Sequence, residues 1–198
     1  MVNPSLPSRV LAASKSQLRF QLPCGLLLLA MVTYSLVAAA RLNKTGASST
    51  SFKVAGPAGM TIEGKTTEMS VADDGTTVTI TVPLGNINTG IGLRDDHTKK
   101  ALEVDTYPTT TLKVARAALK FPAAGAESSG DAKGTLTLHG QTKDVTFHYT
   151  AKLDGDTYAV QGNARINVDD YGVKRPSYLG VTVKPDVDIT TSFQAKDN

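Results

Sequence analysis

Strict alternation of apolar residues with small polar ones constrains this chain more than any other feature. Along 76–82, Val78, Ile80 and Val82 fall on one side and Thr77, Thr79 and Thr81 on the other. A period of two places such sets on opposite faces of a β-strand. The pattern returns in Val145, Phe147 and Tyr149 against Thr146, His148 and Thr150, and in Val187, Ile189 and Phe193 against Asp188, Thr190 and Ser192. Shorter versions carry Leu112 and Val114, then Leu136 and Leu138, then Ala164, Ile166 and Val168. Asp74-Gly75, His139-Gly140 and Asp154-Gly155 supply hairpin signals between the runs.

One stretch reads as a helix. Residues 93–104 open with Arg94, Asp95 and Asp96 and stop before Tyr107-Pro108, with acids early and a proline after the end. Residues 122–133 are small and polar and read as an exposed loop, while 169–185 have turn residues without a clear period. Two-faced strands at hairpin spacing leave an antiparallel sandwich or a barrel, and periodicity alone does not choose.

The first forty residues differ from the rest. Arg9, Lys15 and Arg19 supply charge, residues 24–40 are apolar apart from Thr33, Tyr34 and Ser35, and no acid precedes Glu63. Small residues at Ala38 and Ala40 complete the pattern of a secretory signal, so 1–40 is expected to be cleaved and 41–198 to form one domain. The whole chain has 21 Lys and Arg against 18 Asp and Glu; three of the basic residues lie in 1–40, which leaves 18 of each. That balance argues against nucleic acid as a partner. The single cysteine, Cys24, leaves with the signal, so the domain is expected to have neither disulfides nor thiolate metal sites.

Three segments carry a family resemblance. The first runs from Asn88-Thr89-Gly90 through Arg94-Asp95-Asp96-His97 to Leu102 and Tyr107-Pro108. The second is Gly134-Thr135-Leu136-Thr137-Leu138-His139-Gly140-Gln141-Thr142-Lys143-Asp144-Val145, and the third Asp169-Asp170-Tyr171-Gly172. Together they resemble the YceI-like family of bacterial polyisoprenoid-binding proteins. The opening strand departs from that pattern: the chain has no Trp, Thr50 stands where an aliphatic is usual, and Thr66 replaces an aromatic. The resemblance implies an all-β fold, a closed lipocalin-like antiparallel barrel of about eight strands with a short helix between strands. It also implies an apolar cavity for an isoprenoid or fatty-acyl chain, and periplasmic or secreted residence.

On that reading the inward faces line the cavity. They comprise Phe52, Val54 and Ile62 near the start, then Val78, Ile80, Val82, Leu112 and Val114. Leu136, Leu138, Val145, Phe147 and Tyr149 continue the set, which ends with Ile166, Val168, Val187, Ile189 and Phe193. Each competes with plain core packing, because a barrel of this size can be filled by its own side chains. Arg94, Asp95, Asp96 and His97 are candidates for a polar mouth, although acids at a helix start also suit the helix dipole. His139 is expected to cap backbone groups at its turn, and His148 to face solvent.

No pair of histidines has metal-ligand spacing, and no nucleophile elbow, P-loop or dinucleotide fingerprint is present. No enzyme activity, metal or cofactor is therefore expected, beyond a bound isoprenoid or fatty-acyl lipid. The expected function is a periplasmic or secreted protein that sequesters or carries such a lipid. The alternative is a non-catalytic structural or interaction module supporting a membrane redox or stress-response system. A lipid-like small molecule is the expected partner, without nucleic acid and without a stable membrane anchor after cleavage. The oligomeric state stays open, with a dimer allowed.

Overall fold

The alternating segments become a single nine-stranded antiparallel sheet in the computed structural model, which describes residues 41–178 and 181–197. In chain order the strands are β1 (Leu42–Ala55), β2 (Thr61–Thr66), β3 (Ser70–Asp73), β4 (Thr77–Pro83) and β5 (Thr109–Ala115). They continue with β6 (Glu127–Leu138), β7 (Gln141–Asp154) and β8 (Thr157–Asn167). A small hairpin, β9 (Ser177–Tyr178) with β10 (Val181–Thr182), precedes the last strand, β11 (Asp186–Asp197). Between β4 and β5 lies the helix α1 (Gly92–Ala101). The expected signal segment, 1–40, lies outside the described residues.

The strand order is β2-β1-β11-β8-β7-β6-β5-β4-β3. The sheet curls: Val71 and Val78 of β3 and β4 share a core cluster with Leu42, Tyr158, Phe193 and Ala195 from β1, β8 and β11. The main sheet has nine strands where about eight were expected, and among the described residues its ladder is open between β2 and β3. The facing edges are instead tied locally. Leu42 N–H donates to Asp73 (3.1 Å) and Ser48 Oγ to Thr67 O (2.7 Å). One isolated bridge pairs Lys65 with Asn88. β2 pairs only with Thr50–Ala55 of the fourteen-residue β1.

Three element boundaries differ from the sequence reading. The helix ends at Ala101 rather than at 104. Glu103 takes a left-handed conformation (φ 47°), its N–H donates to Lys100 O, and Val104 N–H donates to Lys99 O. This is a Schellman stop built on Glu instead of the usual Gly. Within 122–133, residues from Glu127 onward are strand, because β7 is long enough to pair Glu127 with Lys152. Within 169–185 the chain forms a short 3-10 turn over Val168–Tyr171 and then the β9–β10 hairpin.

The His139-Gly140 turn forms where its residue types predict it. Both residues have positive φ, 51° and 72°, and a Cβ on Gly140 would meet the Tyr107 ring at 2.7 Å. Tyr107 therefore packs onto this turn because a glycine leaves room for it.

Candidate functional site

The register sends the strand starts and ends to two opposite ends of the curled sheet. At one end lie the first residue of β1, the Asp73–Thr77 turn, the 116–126 connection, the Asp154–Thr157 turn and the end of β11. At the other lie the β1–β2 connection, α1 with its flanking segments, the His139-Gly140 turn and the 168–185 connection. Period-two alternation then aims one residue in two at the space between.

That space is hollow. Among the described residues no large side chain is completely sealed. A cavity of about 160 Å³ lies toward the first end and one of about 420 Å³ toward the α1 end. The smaller is lined by Val78, Ile80, Leu112, Val114, Val145, Phe147, Tyr149 and Phe193. The larger is lined by Phe52, Val54, Ile62, Leu138, Ile166, Val168 and Val187. Val82, Leu136 and Ile189 line both. The structure thus brings all the inward-facing positions named from the sequence onto one cavity wall or the other.

Thr50 and Thr110 also belong to both linings, in the wall the adjoining cavities share. Their hydroxyls are engaged. Thr110 Oγ1 donates to Thr137 O (2.9 Å), and Thr50 Oγ1 lies 3.3 Å from Thr191 Oγ1. With those bonds made, the threonines need no water and their methyl groups can serve as wall. Gly64 shapes the larger cavity: a Cβ there would run into the Phe52 ring, so glycine leaves that ring its place beside β2.

The first end is closed by a charged knot. The buried carboxylate of Asp73 is hydrogen-bonded by Arg116, by Leu42 N–H and by Gly75 N–H. Arg116 also contacts Asp197 at 3.1 Å and stacks over Phe121, 4.3 Å from its centroid. Phe121 meets Tyr158 edge-on at 5.8 Å, and Lys120 N–H donates to Tyr149 Oη at 2.6 Å. Burial, and then the Asp197 charge, raise the Tyr158 hydroxyl above its ordinary range and keep it neutral.

The α1 end is built differently. Arg94, His97, Thr98 and Ala101 fall at i, i+3, i+4 and i+7, and all four line the larger cavity. The candidate polar mouth is therefore divided. Arg94 and His97 reach the cavity, whereas Asp95 accepts from the Thr89 hydroxyl (2.5 Å) and amide (2.7 Å). Those two bonds hold the Asp95 carboxyl below the ordinary carboxylate range. Asp96 is exposed and lines neither cavity.

Arg175 and Lys184 complete the charged part of the larger lining. Arg175 is fixed by Asp169 and Val183 O, each at 2.7 Å. Behind the mouth, His139 Nδ1 lies 3.2 Å from Tyr171 O, and its ring packs on Tyr107 at 4.7 Å between centroids. Its buried Nε2 lies 3.6 Å from the Glu103 carboxylate. His139 thus ties the end of the α1 segment to the β6–β7 turn and the 168–171 turn. His148 is exposed and pairs with Asp131 at 2.8 Å.

Sequence periodicity missed several wall residues. Leu84, Ile87 and Leu102 come from connections, and Leu119 and Phe121 from the 116–126 segment. Their apolarity was visible, but no strand pattern indicated which way they point. Arg175 and Lys184 gave no signal at all in an aperiodic stretch.

The YceI-like domain model matches residues 39–195. A UPF0312 protein of Pseudomonas putida strain W619 is 32% identical over 104 residues, covering 48% of this chain and 52% of the relative. Another UPF0312 protein, from Pseudomonas syringae pv. tomato, is 33% identical over 105 residues, covering 49% and 51%. The chain spans about half the length of the curated relatives it matches. Among solved structures, a polyisoprenoid binding domain from Saccharophagus degradans implicated in plant cell wall breakdown superposes with a TM-score of 0.66 at 19% identity. It covers 81% of this chain and 99% of that domain. Burkholderia cenocepacia BcnA gives 0.60 at 19% identity, with 75% and 96% covered. At such identity the structural likeness speaks for the fold, and with the family model's match over most of the chain it leads to one assignment: this chain belongs to the YceI-like family.

Proposed function

We propose that this protein is a non-catalytic carrier that sequesters an isoprenoid or other long-chain lipid in its two adjoining cavities. The observation that carries the reading is their adjacency: a larger and a smaller apolar space share Thr50, Val82, Thr110, Leu136 and Ile189 as wall. A linear tail can occupy both, whereas a compact metabolite fills only one. The family membership and the printed description of the Saccharophagus degradans domain as polyisoprenoid binding support it.

In this reading the curled sheet works as a barrel, with the local bonds between its edges holding the seam. Residues 1–40 act as the export signal, and the mature protein works in the periplasm or outside the cell. The driving force is transfer of the tail from water. Each buried CH₂ is worth up to about 0.8 kcal/mol, and practical ligand efficiency lowers a five-carbon unit to about 1.5 kcal/mol. Mass spectrometry of solvent extracts from gently purified protein tests the proposal. A long-chain lipid near one equivalent per chain is expected. Protein that carries no lipid and takes up none when offered would contradict it.

A further inference from the structure

Both cavities are apolar, but they meet the surface differently. The lining of the larger includes Met60, His97, Pro176, Ser177 and Lys184, all exposed, so this space opens at the α1 end. The lining of the smaller is exposed only at Lys120 and Asn163, and the Asn163 side chain accepts from Thr190 on the outer face. A tail that enters at the α1 end therefore runs toward a blind end.

The connection between β5 and β6 makes that blind end. After the 3-10 turn Arg116–Ala118 the backbone extends at Leu119 (φ −103°, ψ 139°). Period two then puts Leu119 and Phe121 on one side, both half-buried and both in the cavity lining, with Lys120 exposed between them. Two bonds pin this strap to the sheet: Lys120 N–H donates to Tyr149 Oη (2.6 Å), and Ser128 Oγ donates to Lys120 O (2.8 Å). Phe121 is held from two sides, by the Arg116 guanidinium over its ring and by the Tyr158 ring at 79° to it. Arg116 is fixed in turn by Asp73 and Asp197. A ring gripped in this way cannot turn aside for a longer tail without breaking those contacts. Behind it lies the Arg116–Asp73 pair, whose charges an apolar chain end cannot solvate.

We propose that Leu119 and Phe121 form the stop that sets the longest tail this protein accepts. This rests on the carrier reading and adds the residues that choose among tails. Transfer energy grows with each unit buried, so affinity rises with length only until the tail end meets the stop. A longer chain leaves its surplus units in water at the mouth, where they add nothing.

The test titrates geraniol, farnesol, geranylgeraniol, geranylfarnesol and solanesol, one head on tails of rising length, into the full chain. The same series goes into Phe121→Ala, Leu119→Ala, Ala151→Met and Ala117→Ser, with Tm recorded for each. In the parent, affinity should rise about tenfold per unit and then level off at one length. Phe121→Ala and Leu119→Ala should level off about one unit later, because truncation leaves space where the stop stood. Prenols too short to reach the stop should keep their affinity within about twofold, which also shows that these variants are folded. Ala151 is buried in the lining of the same cavity, so Ala151→Met should level off earlier. Ala117→Ser, exposed on the same connection, should level off where the parent does. Levelling at the parent's length in both truncations would overturn the proposal and leave the carrier reading standing. A loss shared by every prenol in a variant of unchanged Tm would do the same. If the truncations unfold the chain, Ala151→Met decides, since an unmoved plateau there means that the tail never reaches this end. A parent that binds no prenol, or whose affinity ignores length, would overturn the carrier reading and this one together.

Discussion

The two ends of the molecule use the same kinds of residue for opposite purposes. At the Arg116 end the guanidinium is held by two carboxylates: Asp73 and Asp197 flank Arg116, and Phe121 lies against its face, while Lys120 in the cavity lining is exposed. At the α1 end the cations collect around the mouth of the larger cavity, and among the described residues Arg175 alone of them is paired with a carboxylate, Asp169. One end spends its electrostatics on closing the sheet, and the other leaves it available to a ligand. Overall neutrality of 41–198 conceals this asymmetry, since opposite charges are segregated by pairing rather than by number.

The comparison breaks first at Arg116. Replacing it by Ala leaves the sealed Asp73 carboxylate without its cation, and loss of one partner from a buried pair costs about 3 kcal/mol or more. Arg94→Ala, at the open end, should cost less than about 0.5 kcal/mol of stability. Urea unfolding of the two variants measures both. Similar losses would mean that the two arginines play the same structural part.

A smaller effect sharpens the picture of the closed end. The Asp74 carboxyl accepts from the Thr76 hydroxyl (2.6 Å) and from the Thr76 and Thr77 amides, which lowers its pKa to about 2. A carboxyl lowered in the folded state contributes stability above its ordinary 3.8, and that contribution is lost as pH falls toward about 2. Asp74→Ala should therefore be less stable than the parent at neutral pH, and the difference in Tm should shrink across that interval. A difference that stays constant with pH would place the role of Asp74 outside its ionised form.

How far the sequence reached depended on whether local pattern or distant pairing decided a feature. Alternation in 76–82 and in the β7 and β11 runs picked out residues that line the cavities, because period two is a property of each strand alone. The number of strands and the open ladder between β2 and β3 depend on which segments meet across the sheet, and no local pattern encodes that. Thr50 illustrates the limit. Its polarity made it a poor candidate for a wall, yet with its hydroxyl bonded to Thr191 it lines both cavities. The stop of α1 at Glu103 was hidden for a related reason: a glutamate stands in the conformation that normally announces itself with glycine. The division of the polar mouth needed the Thr89–Asp95 bonds, which the spacing of Arg94 to His97 does not contain.

The central claim is that a tail lies along both cavities, and affinity as a function of tail length tests it most directly. Isoprenoids of increasing length with a constant head are titrated into the protein and into its Phe147→Lys and Thr146→Lys variants, with Tm recorded for each. Phe147 lines the smaller cavity, and Thr146 projects from the opposite face of β7. Each added unit should tighten binding by about tenfold until the space is filled. Phe147→Lys should abolish the gain for the longer tails, and Thr146→Lys should not. Affinity that ignores tail length, or two lysine variants that behave alike, would contradict the account.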